Sequence, residues 1–240
     1  VHGLQDWNVK PDNALPIYNA LPGPKALWAG QWAHDYPDIN HFNADWSRHD
    51  WNGSLLVWFD HFLKGVANGW DEKPSVHLEI HDSGPNPVAV VQEDAWPPGN
   101  LDWRPLWLDA RDMALREASP AAPSEAAFSS RSVLRFQWSV PEDMDVIGPM
   151  ALRLWIKAQD SGDLVLFAGI RKFRAGAEVT FEGSFGFSGD MPSKGWQRAA
   201  HREIDDRLSI PAQPVHTHDR AEPLAPGEIA RIDIALRQHA

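Results

Sequence analysis

A chain of 240 residues, 43% of them hydrophobic and 23% charged, can bury the core of one large domain or two smaller ones. Its net charge of −11 argues against nucleic acid and anionic membrane surfaces as partners, since both reward a basic face, and no apolar run reaches the roughly 18–20 residues a bilayer span requires. The absence of cysteine excludes disulfides, thiolate catalysis and cysteine-based zinc sites, and leaves the compartment open, with the cytoplasm as the default.

In chain order, Val1-His2-Gly3 reads as the last turn of a strand, followed by a loop that carries Asp6. Pro11 suits the first turn of a helix whose apolar positions are Ala14, Leu15, Ile17, Tyr18 and Leu21, and Pro22-Gly23-Pro24 ends it. Leu27 to Trp32 predicts a short apolar strand, with His34 just past its end. A polar loop, 35–50, leads into a helix over about Arg48 to Lys64, where Trp51, Leu55, Trp58, Phe59 and Phe62 recur at helical spacing and Gly65 sits at the C-terminal cap.

From about Pro74 the hydrophobic period changes from helical to alternating. Val76, Leu78 and Ile80 predict one strand; Leu134, Phe136, Trp138 and Val140 another; Leu152, Leu154 and Ile156 a third; and Ile232, Ile234 and Leu236 a late one. Leu164 to Ile170 is a continuous apolar run, and Arg116 to Ser130 a long loop. Strands separated by turn residues with no helical pattern between them predict an antiparallel sandwich. The expected class is therefore α/β followed by all-β, with 1–70 the C-terminal part of an α/β-hydrolase domain and 71–240 a β-sandwich. One strand and a strand stub cannot build a parallel sheet, so both ends are expected to be cut, including an edge of the sandwich.

Asp6 after one strand and His34 after the next, with a helix between, is the order in which an α/β-hydrolase presents the acid and base of a Ser-Asp-His triad at the carboxyl edge of its sheet. The simpler expectation is that Asp6 caps the helix and His34 is an ordinary loop histidine. His2, His41 and His49 are weaker candidates for the base. No Gly-x-Ser-x-Gly elbow is present: neither Gly183-Ser184-Phe185-Gly186 nor Gly186-Phe187-Ser188-Gly189 has glycine at both flanking positions, and both read as turn or strand glycines, so the serine is expected upstream of Val1. His216-Thr217-His218-Asp219 lacks a third metal ligand at supporting spacing and reads as solvated loop, and Asn52-Gly53-Ser54 matches a glycosylation sequon inside a helix. Among thirteen tryptophans, most of which read as core anchors, Trp7 and Trp32 adjoin the proposed catalytic ends and are the candidate walls of a substrate pocket.

The stretch His2-Gly3-Leu4-Gln5-Asp6-Trp7-Asn8-Val9, the strand ending at His34, and Trp58-Phe59-Asp60-His61-Phe62-Leu63-Lys64-Gly65 together resemble the cocaine-esterase and X-Pro dipeptidyl-peptidase group of serine hydrolases. Trp96-Pro97-Pro98 and Glu222-Pro223-Leu224-Ala225-Pro226-Gly227-Glu228 are similar to early and late parts of that family's C-terminal jelly roll. The resemblance implies a hydrolase domain followed by a jelly-roll β-sandwich, with the triad acid on Asp6, the base on His34, and the nucleophile, oxyanion-hole donors and helical cap outside the chain. The expected function is an acyl esterase acting on a small ester, inactive as this chain alone, without metal or cofactor; a homo-oligomer is compatible with the sequence. An X-Pro dipeptidyl peptidase is the alternative within the family, disfavoured because no segment supplies a clear carboxylate for a substrate amino group. A jelly-roll module binding carbohydrate or protein is the alternative from another class. Against that module stands the expectation that the sandwich carries no row of exposed aromatics.

Overall fold

The computed structural model describes residues 1–41, 44–183 and 189–240, mostly strand with few helices. Two compact units emerge, one from residues 1–99 together with 146–240 and a small one from 100–145.

In the larger unit, β1 (His2–Gly3), β2 (Leu27–Gly30), β3 (Val76–Ile80) and β4 (Ala89–Glu93) form one sheet in that order. The first two pairings are parallel because each connection contains a helix long enough to carry the chain back: α1 (Pro11–Ala20) between β1 and β2, and α2 (Trp51–Lys64) between β2 and β3. Pro11 opens α1, and Leu21 closes it by donating its N–H to the carbonyls of Ile17 and Tyr18. Leu15 and Tyr18 turn inward against Leu27, Ala29, Val76 and Leu78, burying one face of the sheet. Gly65 ends α2 in the left-handed region at φ 68°, where a Cβ would be strained.

The remaining strands pair antiparallel. β7 (Gly148–Lys157) lies along β12 (Ile229–His239), with Ile232 opposite Leu154 and Leu236 opposite Met150. β8 (Val165–Ile170) lies along β11 (Ser193–Arg198), and β9 (Lys172–Arg174) along β10 (Ala177–Val179). A second core of Leu166, Ala199, Leu224, Ile232, Ile234 and Leu236 fills the space between these elements. Gly195 backs onto β12 so closely that a Cβ would lie 1.9 Å from the carbonyl oxygen of Ala235. In the small unit, β5 (Trp107–Asp109) pairs antiparallel with β6 (Ala114–Arg116), and buried Asp109 draws in Arg111 and Arg116, which hold its carboxyl well below the usual range.

Four expectations change. The alternation at Val76–Ile80 forecasts a sandwich strand, yet β3 pairs parallel with β2, because alternation records which faces are buried and not the direction of the partner. Leu134 to Val140 forms no strand: Gln137 alone bridges to Ala114, through its own N–H to Met113 and through Leu115, and Val133 and Val140 stay exposed. α2 begins at Trp51 rather than Arg48, whose side chain turns into the interior instead. The β-rich part does present aromatics to solvent: Phe167 and Trp196 are cross-strand partners at 79% and 44% exposure, Phe167 concealed in the sequence by the unbroken apolar run of β8.

Candidate active site

The parallel pairing of β1 and β2 brings their carboxyl ends to one edge, and the chain continues the ladder beyond them. Leu4 N–H donates to Gly30 O at 2.8 Å and Gln5 N–H to Trp32 O at 3.0 Å. Gly3 permits this approach, since a Cβ there would lie 2.2 Å from Trp32 O. Past that point a turn, Asp6 N–H to Gly3 O at 3.1 Å, sets the Asp6 side chain at the edge.

Asp6 is 5% exposed and uses both oxygens. Oδ1 accepts the backbone N–H groups of Asn8 at 2.7 Å and Val9 at 2.9 Å, and Oδ2 faces Nδ1 of His34 at 2.9 Å. Asp6 does not cap α1, whose N-cap is Lys10. Facing a carboxylate, Nδ1 is the ring nitrogen that bears a proton, and in the neutral ring Nε2 then holds the lone pair; the Asn8 side-chain amide lies 3.2 Å from it. The His34 side chain is 36% exposed. An imidazole with this tautomer, backed by a buried carboxylate, can act as a general base through Nε2.

The surroundings come from distant parts of the chain. Trp7 donates its indole N–H to Asp190 at 2.8 Å, and Lys194 binds both Asp190 oxygens at 2.7 Å while its ammonium lies 3.1 Å from the centre of the Trp7 ring. Burial lowers the Lys194 pKa, and likewise that of Arg237, whose guanidinium lies 5.0 Å from the same ring. Arg237 also donates to Gln5 Oε1 at 2.9 Å. On the His34 side, Glu182 accepts the Ala33 N–H at 2.8 Å and the Asn40 amide at 2.7 Å, and burial raises its pKa.

Beneath the base loop lies a buried ion pair. Arg48 reaches Glu79 with Nε at 2.8 and 2.7 Å and with Nη2 at 2.6 Å, and Trp28 and His81 complete the carboxylate's partners at 2.8 and 3.1 Å. Burial acts to raise the Glu79 pKa, and the hydrogen bonds from His81 and Arg48 outweigh it, leaving the carboxyl below its ordinary value. Trp32, 4% exposed, packs with Trp28, Trp46 and Phe181 under the Arg48 guanidinium, whereas Trp7 is 40% exposed.

Of the other histidines, His2 is largely buried at β1 with its pKa lowered by desolvation, and His41 binds Asp35 at 2.9 Å. His216 and His218 approach to 6.0 Å between ring centres, but among the described residues no group of three His, Asp or Glu side chains is arranged to hold a metal ion. The two glycine–serine strings over 183–189 run through residues 184–188, outside the described residues. Glu182, Arg237 and the Arg48–Glu79 pair escaped the sequence reading. For Glu182 and Arg237 the one trace is a lone charge beside apolar residues, as in Phe181-Glu182-Gly183 and Ala235-Leu236-Arg237, a pattern that a solvated strand face produces equally well.

The family described as X-Pro dipeptidyl-peptidase C-terminal non-catalytic domain matches residues 68–240, and that described as X-Pro dipeptidyl-peptidase (S15 family) matches residues 1–36. A Streptomyces avermitilis protein provisionally named an Xaa-Pro dipeptidyl-peptidase is 34% identical over 105 residues, covering 42% of this chain and 14% of its own. A Streptococcus gordonii Xaa-Pro dipeptidyl-peptidase is 25% identical over 174 residues, covering 68% of this chain and 22% of its own. A CocE/NonD family hydrolase from Staphylococcus aureus superposes with a TM-score of 0.89 at 25% identity, over 99% of this chain and 42% of its own. The chain thus spans less than half the length of each.

Proposed function

The chain belongs to the X-Pro dipeptidyl-peptidase C-terminal domain family, its first 36 residues match the S15 peptidase family, and from that premise we propose that Asp6 and His34 are the acid and base of a Ser-Asp-His hydrolase whose serine lies outside residues 1–240. The observation that carries this is the 2.9 Å contact between His34 Nδ1 and a buried Asp6 oxygen at the shared end of two parallel strands. In the proposed reaction the serine oxygen attacks the acyl carbon as His34 Nε2 takes its proton. The imidazolium then returns that proton to the leaving amine or alcohol, and water repeats the sequence to release the acid. Asp6 holds the tautomer and stabilises the imidazolium. Trp7 forms part of the substrate wall, and buried Trp32 supports the loop that carries the base. The expected boundary near residue 70 moves in this reading: β1 to β4, which share one sheet, act as the end of an α/β-hydrolase domain, and the antiparallel strands β7 to β12 as part of a jelly roll.

The names of the relatives favour release of an X-Pro dipeptide as the first substrate class to test. An ester substrate is the second reading. It rests on one observation: the three carboxylates joined to the segments that carry the pair, Asp35, Glu182 and Asp190, are each already engaged, by His41, by Ala33 and Asn40, and by Lys194 and Trp7. A peptidase would need a further carboxylate for the substrate's amino group.

Fluorophosphonate labelling of the full-length protein, with mapping of the modified residue, tests the proposal. A labelled serine outside this chain, with labelling abolished in His34→Ala, supports the triad. A folded protein that takes no label but binds a glycan or protein moves the assignment to a binding module. Parallel assays on an X-Pro chromogenic amide and a simple aryl ester decide between the substrate classes.

A further inference from the structure

The residue preceding each member of the acid–base pair is gripped by a buried side chain from far along the chain. Ala33, just before His34, donates its N–H to Glu182 at 2.8 Å, and the other Glu182 oxygen takes the Asn40 side-chain amide at 2.7 Å. Gln5, just before Asp6, receives Arg237 at 2.9 Å and donates to the carbonyl of Pro192 at 3.0 Å. Glu182 and Arg237 are 6% and 4% exposed, and burying such groups is costly unless their hydrogen bonds are met. The Glu182 carboxyl meets its partners at both ends of the loop that starts beside His34 and returns at Asn40. Between these ends Tyr36 and Ile39 are 70% and 57% exposed, so Glu182 closes the base loop where much of its middle faces solvent.

We propose that Glu182 and Arg237 are positioning residues that set the His34–Asp6 geometry, Glu182 by fixing the backbone that bears the base and Arg237 by fixing, through Gln5, the backbone that bears the acid. This assigns the β-rich part of the chain a direct hold on the reacting groups, and it rests on the triad reading above. A displacement of the imidazole by about 1 Å is enough to cost on the order of 100-fold in rate, which is the scale these contacts control.

The test uses the full-length protein. Glu182→Ala and Glu182→Asp, the latter too short to reach both partners, should lower kcat roughly 10- to 100-fold with KM changed by less than about twofold. The acid limb of the kcat/KM profile should move to lower pH, because a displaced imidazolium loses the support of Asp6. Glu182→Gln keeps an acceptor for Ala33 and can donate to Asn40 once that amide turns over, so its activity should stay within about threefold of the parent. Arg237→Met should repeat the kcat loss from the acid side. Unchanged kcat and pH limb in folded Glu182→Ala and Glu182→Asp overturn the proposal, as does a Glu182→Gln loss equal to that of Glu182→Ala. If the alanine variant does not fold, Asn40→Ala, which removes one anchor and leaves the carboxyl, decides on the same readouts. His34→Ala is measured alongside. Retained hydrolysis there defeats the triad reading, whereas abolished hydrolysis with unaltered Glu182 variants defeats the positioning role alone.

Discussion

Asp6→Asn is the substitution for which the structure makes the sharpest demand. Asp6 Oδ1 accepts two main-chain N–H groups, from Asn8 at 2.7 Å and Val9 at 2.9 Å, so the asparagine must keep its oxygen there; an NH2 group would confront two donors. The amide NH2 then takes the place of Oδ2, 2.9 Å from His34 Nδ1, and needs a lone pair from the ring. The imidazole is driven to carry its proton on Nε2, the atom that must accept the serine proton. Position and packing are kept and only the tautomer is inverted. A loss of that kind is worth roughly 10⁴-fold in kcat, about 5 kcal/mol of transition-state stabilisation. Steady-state hydrolysis and the rate of fluorophosphonate inactivation, both on the full-length protein, should fall together while the thermal midpoint changes little. A loss under about tenfold in a folded variant would show that Asp6 does not fix the tautomer, and the assignment of the acid would fall with it.

Arg48→Met leaves the 2%-exposed Glu79 without its charged partner and should cost roughly 3–5 kcal/mol of stability, read as a lower denaturant midpoint. Glu79 and Glu182 should act on stability in opposite senses as pH changes. Glu79, its pKa depressed by hydrogen bonds that outweigh burial, contributes stability above its unfolded pKa that is lost as pH falls through the lower folded value, so Glu79→Gln should lose most near neutrality. Glu182, its pKa raised by burial, weakens the fold increasingly as pH climbs from the unfolded value through the raised one. Glu182→Gln should therefore gain stability over the parent toward neutral pH and match it in acid, and a gain confined to acid would contradict the burial argument. Trp7→Ala should raise KM about tenfold with kcat within a few-fold if the ring is a substrate wall; an unchanged KM would return Trp7 to a purely structural role.

Local chemistry made part of this protein legible in one dimension. Pro11 and Pro22-Gly23-Pro24 bound α1, Gly65 ends α2, and the alternation around Val76, Leu152 and Ile232 marks strands, because each signal acts over a few residues. The candidacy of Asp6 and His34 was likewise readable, since it depends only on chain order and on a helix between two strand ends. Partner choice was not. The parallel pairing of β3 with β2, the burial of Glu79, and the reach of Glu182 to Ala33 and Arg237 to Gln5 join residues far apart in sequence. A charged residue on an alternating strand has the same local signature whether it meets water or a buried partner. Packing settles which, because only the folded chain supplies the donor that makes burial tolerable.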